Sequence, residues 1–374
     1  FLKKLAVRKR ANSKATIIAV TGSCGKTTVK TLLGNFLKTV NRTYYSTKSY
    51  NNHYGVPLSL SNLERTHNYG VFEIGMSKKG EINKLSKLVK PDIALITNIA
   101  EAHIENFKNL QSIAVAKSEI INNINKSGCL IINRDQKFFN YFKNLALKRK
   151  IEIISFGKSS YSDVRLISVK QFQNKKIAKI KVFNETLFIE SGNTNIENLL
   201  SIMAVLKFLN IDLKKTVDFF KSFKLIEGRG RVYDIERYST NFKLIDESYN
   251  ANPLSVKNAI INFSNIKKKN FKKYLLLGDM LELGKKSNLY HQNLSKIINK
   301  TDIDKVFVYG DKVLNTFKYT KKNKQGNILQ YINDFDEVFS ALVKKNDHIL
   351  IKGSNATGLN KLSKNIIRGK SYAI

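Results

Sequence analysis

The stretch Ala15-Thr16-Ile17-Ile18-Ala19-Val20-Thr21-Gly22-Ser23-Cys24-Gly25-Lys26-Thr27-Thr28 decides how the chain is read. Residues 15–20 are largely apolar and fit a short buried strand. Beyond the loop, Val29, Leu32, Leu33, Phe36, Leu37 and Val40 recur at the spacing of one helix face. Residues 21–28 therefore form a glycine-containing loop between a strand and a helix. There Gly22 and Gly25 let the amides of Gly22, Ser23, Cys24 and Gly25 converge on a phosphate, and the helix N-terminus at Lys26, Thr27 and Thr28 adds positive potential. Lys26 reaches the β and γ phosphates, and the Thr27 hydroxyl is placed for Mg²⁺. The strict phosphate-loop pattern has Gly five positions before Gly25, where this chain has Val20, so the loop is a shorter variant. Cys24 enters as a backbone donor rather than as a nucleophile.

Working outward, apolar runs at 71–74, 93–97, 128–133 and 151–156 alternate with helical patterns after Gly80 and over 113–124, which predicts a wound, mostly parallel α/β sheet. Between 164 and 190 shorter runs, such as 179–183 and 186–189, predict antiparallel strands. A long helix with Ile196, Leu199, Leu200, Met203, Leu206 and Leu209 on one face follows. Gly228-Arg229-Gly230 breaks the pattern. Strands at 242–245, 274–277, 305–308 and 348–351, alternating with helical stretches, then predict a second, smaller α/β domain resembling a dinucleotide-binding fold. The expected division is 1–13 as a linker or the remnant of a preceding domain, 14–228 as a central nucleotide-binding domain, and 229–374 as a Rossmann-like C-terminal domain. Phe1, Leu2, Leu5 and Val7 fit the tail of a helix.

The chain carries 65 Lys and Arg against 29 Asp and Glu, a formal charge of +36. It is also rich in Lys, Asn, Ile, Phe and Tyr, with 3 Pro and no Trp, the bias of an A- and T-driven coding sequence rather than of a nucleic-acid groove. The lysines are dispersed apart from short runs such as 267–269, so the expectation is an anion-attracting surface without a nucleic-acid partner. Two cysteines, Cys24 and Cys129, exclude a disulfide framework and fit a reducing cytoplasm. No apolar run approaches the roughly 18–20 residues of a spanning helix, so no membrane partner is expected.

A series of motifs follows the loop: Asn51-Asn52-His53-Tyr54-Gly55-Val56-Pro57-Leu58, Phe72-Glu73-Ile74-Gly75-Met76, Gly80-Glu81-Ile82, Thr97-Asn98-Ile99 with Ala102-His103, and Ala116-Lys117-Ser118-Glu119-Ile120. Further on come Asp246-Glu247-Ser248-Tyr249-Asn250-Ala251-Asn252-Pro253, Gly278-Asp279-Met280-Leu281-Glu282-Leu283-Gly284 and Lys352-Gly353-Ser354. In order and spacing, over nearly the whole chain, this string resembles the Mur ligases, and among them the member that joins D-alanyl-D-alanine to a UDP-N-acetylmuramoyl-tripeptide. The Tyr249–Pro253 and Gly278–Gly284 elements are the most specific to that member.

The resemblance implies a cytoplasmic, monomeric ATP-dependent ligase that phosphorylates the tripeptide carboxylate and lets the dipeptide amine attack the acyl phosphate. It implies Lys26, Lys117 and His103 as catalytic, with Thr27, Glu73, His103 and a carbamylated Lys117 holding Mg²⁺. Asn195 and Asn198 fall on the adenine side, Asp246 near the ribose, and Arg229 within reach of the phosphates. Asn51, Asn52, Tyr249, Asn250, Asn252, His291 and Lys352 fall on the peptide and amine side. Thr194 stands where the family often has His, and Glu247 where it usually has a second Asp. Rival readings are a sister ligase adding the third residue, a folylpolyglutamate synthase, a basic ATP-hydrolysing nucleic-acid binder and a non-catalytic remnant. The Tyr249–Pro253 segment argues against the first two, and the scattered lysines against the third.

Overall fold

In the computed structural model the helix expected at the start is α1 (Leu2–Ala11), and the decisive strand is β1 (Thr16–Thr21). The residues described are 1–172, 175–192, 194–223, 225–267 and 270–369; Asn193, Lys268 and Lys269 lie outside them. Two units form, Phe1–Ala100 with Phe107–Phe223, and Glu101–Asn106 with Lys224–Ile374.

The first unit continues through α2 (Lys26–Val40), β2 (Thr43–Tyr45), α3 (Gly55–Ser61), β3 (Tyr69–Glu73) and α4 (Glu81–Val89). Then come β4 (Ile93–Ile96), α5 (Leu110–Ser118), β5 (Cys129–Asn133), α6 (Phe139–Lys148) and β6 (Glu152–Gly157). Strands β7 (Val164–Phe172), β8 (Lys175–Val182) and β9 (Glu185–Glu190) precede α7 (Ile196–Phe208) and α8 (Lys215–Ser222).

These strands make one nine-stranded sheet in the order β2-β3-β1-β4-β5-β6-β7-β8-β9. It is parallel as far as β7, and β7, β8 and β9 pair antiparallel, as the short runs predicted. Strands β1, β4 and β5 are apolar almost throughout because a parallel sheet is covered on both faces. On one face Ile18, Val20, Val71, Ile93, Leu95 and Ile131 pack against the apolar stripes of α2 and α7. The helix expected over 113–124 is instead α5 followed by a tighter 3-10 turn, Glu119–Asn123. The first residue of that turn also caps α4, because the Glu119 carboxylate accepts from the amides of Gly80 (2.8 Å) and Asn83 (3.0 Å).

The second unit runs β10 (Arg231–Arg237), β11 (Thr240–Glu247), α9 (Pro253–Ser264), β12 (Lys273–Gly278), α10 (Ser287–Ile298) and β13 (Lys305–Tyr309). It ends with α11 (Leu314–Tyr319), β14 (Gln325–Leu329), α12 (Asp334–Leu342), β15 (His348–Lys352) and α13 (Leu359–Ile367). Its six strands are ordered β10-β11-β15-β12-β13-β14, all parallel except β10, with an apolar cluster on each face. Strands β10 and β14 were not anticipated. Both are sheet edges, only partly buried, so neither carries a strong apolar alternation.

Among the described residues no helix is long and apolar enough to cross a membrane.

Candidate active site

The carboxyl ends of β1, β3 and β4 lie side by side, since Val20 pairs with Glu73 and Thr21 with Ile96. Strands β2 and β3 extend the sheet on one side of β1 and β4 on the other, so the crevice at these ends is where an open α/β sheet takes its ligand.

The loop between β1 and α2 fills the floor of this crevice. Gly22 (φ 144°) and Gly25 (φ 83°) adopt backbone that L side chains rarely do. Space is short as well: a Cβ at Gly22 would lie 1.9 Å from Thr97 Oγ1, and one at Gly25 2.5 Å from Asn198 Oδ1. The residues leaving β4 hold the loop in shape. Ser23 N–H donates to Asn98 O (2.9 Å) and Cys24 N–H to Asn98 Oδ1 (2.9 Å). The Thr97 hydroxyl donates to Cys24 O (2.6 Å), and the Ser23 hydroxyl donates to Ala100 O while accepting from its amide. The first-turn amides of α2, Thr27 and Thr28 included, face the loop at the positive end of the helix.

Two amines share one acceptor. Lys26 Nζ donates to Gly22 O at 2.8 Å and Lys117 Nζ donates to the same oxygen at 2.9 Å. Lys117 is 2% exposed, and burial pushes its pKa well below the usual lysine value, with the Lys26 charge adding to the effect and Cys24 opposing it. Burial therefore works against the charged form of this amine, which α5 aims at the loop.

Beside it, the Thr27 hydroxyl donates to Glu73 Oε2 (2.7 Å), and Asn51 Nδ2 donates to Glu73 Oε1 (2.7 Å). Glu73 is 2% exposed and, among the described residues, has no basic partner. A buried carboxylate with only neutral donors is costly unless a cation completes it. Hard oxygen donors, one carboxylate and one hydroxyl, suit Mg²⁺, which uses few protein ligands and fills its shell with phosphate and water. Among the described residues no cluster of three or more His, Cys, Asp or Glu would hold a metal alone.

Sequence reasoning missed two residues here. Ser49 Oγ lies 2.9 Å from Thr27 Oγ1. The fully buried Lys30 donates to Ser46 O (2.5 Å) and Lys48 O (2.9 Å), and so fixes the segment that delivers Ser49 and Asn51. A charged residue on the apolar face of α2 was the visible signal.

Other predicted residues have local work. Asn52 Oδ1 accepts from the amides of Tyr54 and Gly55 and shapes the turn into α3. Asn195 caps α7 by accepting from Glu197 N–H (2.8 Å), while Asn198, one turn on, stands against the phosphate loop.

In the second unit, the buried Asp246 accepts from Gly228 N–H (2.7 Å), Ser248 N–H (3.2 Å) and the Ser248 hydroxyl (2.5 Å). The Arg229 guanidinium lies 4.2 Å from the centre of the Tyr249 ring. Lys352, 2% exposed, donates to Asn250 O (3.0 Å) and pairs with Glu247 (3.2 Å). Asn252 and Ser255 form a reciprocal cap on α9. His291 is fully buried: Nδ1 donates to Ser287 O (2.8 Å), Nε2 accepts from Met280 N–H (2.9 Å), and burial lowers its pKa. Both its nitrogens are engaged inside the unit. His103 also belongs to this unit and faces Glu282.

Two domain families match the chain, the Mur ligase middle domain over residues 20–206 and the Mur ligase, glutamate ligase domain over residues 230–355. This chain is a member of the Mur ligase family. The UDP-N-acetylmuramoyl-tripeptide--D-alanyl-D-alanine ligase of Buchnera aphidicola subsp. Acyrthosiphon pisum is 34% identical over 372 residues, covering 96% of this chain and 78% of that protein. The crystal structure of MurF from Acinetobacter baumannii superposes with a TM-score of 0.86 at 26% identity, covering 98% of this chain and 80% of that one. MurF ligase from Thermotoga maritima in complex with ADP superposes at 0.83 with 27% identity, covering 99% and 83%. The middle-domain match of this Mur ligase spans the phosphate loop, Glu73, Lys117 and Asn198; the other match spans Asp246 to Lys352.

Proposed function

We propose that this Mur ligase uses ATP to join D-alanyl-D-alanine to a UDP-N-acetylmuramoyl-tripeptide. The observation that carries the reading is 34% identity over 372 residues to a ligase of that name. The buried loop, hydroxyl and carboxylate constellation supports the chemistry.

A carboxylate is a poor electrophile at neutral pH, so the reaction first needs a leaving group. Transfer of the γ-phosphoryl group of ATP to the tripeptide carboxylate makes an acyl phosphate. ADP is formed in that step; the dipeptide amine then adds to the acyl carbonyl, and collapse of the tetrahedral intermediate breaks the C–O bond to phosphate, which leaves with the proton the amine gives up, and the amide remains. The protein's share is positioning and charge neutralisation. Lys26 and the first-turn amides of α2 hold the β and γ phosphates, since the Ser23 and Cys24 amides already donate to Asn98. Thr27 and Glu73 would hold Mg²⁺, which when bound would neutralise phosphate charge. The Lys117 amine, whose charged form burial disfavours, is of the type that when uncharged adds CO₂ and releases a proton, becoming a carbamate that presents an anionic oxygen in place of an ammonium. His103 is assigned to a second Mg²⁺, Asn198 and Asp246 to the nucleotide, and Asn51, Tyr249 and Lys352 to the peptide and amine side. Cys24 and Cys129 form no disulfide, which fits a reducing cytoplasm.

The test is incubation with ATP, Mg²⁺, the UDP-tripeptide and D-alanyl-D-alanine, with the product read by mass. The expected result is the UDP-pentapeptide and one ADP per amide. Extension by glutamate or a diamino acid in place of the dipeptide would overturn the assignment in favour of a sister ligase.

A further inference from the structure

A loop as short as the one between β1 and α2 pairs few of its own amides and carbonyls, and a buried one needs a partner. Two residues just past β4 supply those partners. The Thr97 hydroxyl donates to Cys24 O (2.6 Å). Asn98 takes Cys24 from both ends, its Oδ1 accepting from the Cys24 N–H (2.9 Å) and its Nδ2 donating to the Cys24 carbonyl (3.4 Å). Ser23 N–H donates to Asn98 O (2.9 Å). Both residues are buried, Thr97 3% and Asn98 7% exposed.

Their reach is set by the sheet. Thr97 N–H donates to Thr21 O (2.9 Å), so the chain leaving β4 stays beside β1 one residue beyond Ile96. That brings the Thr97 hydroxyl over Gly22, into the space a side chain there would take: a Cβ at Gly22 would lie 1.9 Å from Thr97 Oγ1 and 3.1 Å from Asn98 N. With the Ser23 and Cys24 amides turned to Asn98, a phosphate is left with the donors that follow them, Lys26 and the first-turn N–H groups of α2, which a helix does not pair within itself. How those donors are aimed depends on the path from Gly22 to Gly25 that Thr97 and Asn98 impose.

We infer that Thr97 and Asn98 are positioning residues for nucleotide binding: by engaging Ser23 and Cys24 they set the path on which Gly25 and the first turn of α2 meet the phosphates. The inference rests on the reading of residues 21–28 as the nucleotide site. Losing a buried hydrogen bond whose acceptor stays behind weighs about as much as a tenfold change in affinity when the loop takes up the loss.

The experiment is calorimetric titration with ADP and Mg²⁺ of the parent, Thr97→Val, Thr97→Ser, Asn98→Ala and Lys26→Ala, paired with melting of each without nucleotide. Val keeps the shape of Thr97 and drops the hydroxyl, whereas Ser keeps the hydroxyl and drops the methyl, so both should melt a few degrees below the parent. Affinity should separate them. The expected result is ADP binding about tenfold weaker in Thr97→Val and at least as weak in Asn98→Ala, with Thr97→Ser binding as the parent does. If Thr97→Val binds ADP like the parent, or Thr97→Ser loses as much as Thr97→Val, the contact serves only the fold and the inference falls. Parental binding by Asn98→Ala removes Asn98 from it. Parental binding by Lys26→Ala would show that the loop is not the nucleotide site and would take this inference with it. Ligation of the dipeptide, read by mass, tests the acceptor assignment separately.

Discussion

Replacing Glu73 by Gln separates the stability of the site from its chemistry. The carboxylate is 2% exposed and bonded to the Thr27 hydroxyl and the Asn51 amide, each at 2.7 Å. Gln keeps both contacts: its carbonyl accepts from Asn51, and its amide donates to Thr27, whose own proton turns to Ser49 Oγ at 2.9 Å. Two charge-assisted hydrogen bonds become neutral ones, a loss of about 1 kcal/mol each. Against this, a buried charge with neutral partners disappears, which relieves a desolvation cost of a few kcal/mol. The two nearly cancel, so the melting temperature should move by no more than about 2–4 °C in either direction. Catalysis should not survive. Thr27 loses the anionic partner with which it would hold Mg²⁺, and ligation should fall on the order of a thousandfold, about 4 kcal/mol. The assay is ligation by mass, together with melting in the presence and absence of Mg²⁺ and an ATP analogue. The parent should gain about 2.7 kcal/mol when the ligand stands at a hundred times its dissociation constant, and the variant much less. Ligation within tenfold of the parent, or an undiminished ligand-dependent shift, would refute the assignment of Glu73.

Gly22→Ala forces a Cβ to 1.9 Å from Thr97 Oγ1 at φ 144°, so calorimetry should find no ADP binding; parental affinity would show that the loop is not the phosphate site. Lys117→Ala should ligate at a rate near background and regain part of the rate with added formate or acetate, which can supply the missing anionic oxygen; full activity without additive would sink the carbamate. For His291, burial lowers the pKa from 6.5, so the unfolded chain binds the proton more readily. The stability is fully present above pH 6.5 and is lost as pH falls from there to the lowered folded value. His291→Gln should melt lower at pH 7, by about 1 kcal/mol for the weakened Met280 contact, and should show a flatter profile between pH 7 and 5. An equally steep profile in the variant would place the acid sensitivity elsewhere.

Much of the fold was legible because it is written in local periodicity. Strand β1, the stripe on α2, the apolar runs of β3 to β6 and the antiparallel turn of the sheet all follow from spacing within a few residues. What escaped was carried by weak or distant signals. Strand β10 carries several charged residues at a partly buried sheet edge, and the tightening after Ser118 depends on a Glu119 carboxylate that reaches α4, some 36–39 residues earlier in sequence. Within the site, Lys26 and Thr27 could be named from residue type and order, and Glu73 and Lys117 from the family resemblance. Ser49 could not, and Lys30 showed only as a charge on the apolar face of α2, since nothing near either residue states which hydroxyl or carbonyl it will meet. Asn52, Asn195, Asn252 and His291 show the converse: the sequence shows a polar side chain, and only packing reveals that a turn, a helix end or a buried amide already engages it.

By itself, then, the amino-acid sequence determined the α/β class, the phosphate loop, the order of the motifs and the family they resemble, because each is a matter of residue type at short spacing. The tertiary structure alone decided that Val20 lies beside Glu73, that Lys26 and Lys117 meet on the Gly22 carbonyl 95 residues before Lys117, and that Glu282 faces His103. Such meetings are set by strand order and burial over the whole chain. A short window of sequence fixes which groups a residue carries, while the pairing of groups far apart in the chain emerges only when the sheets close over their cores.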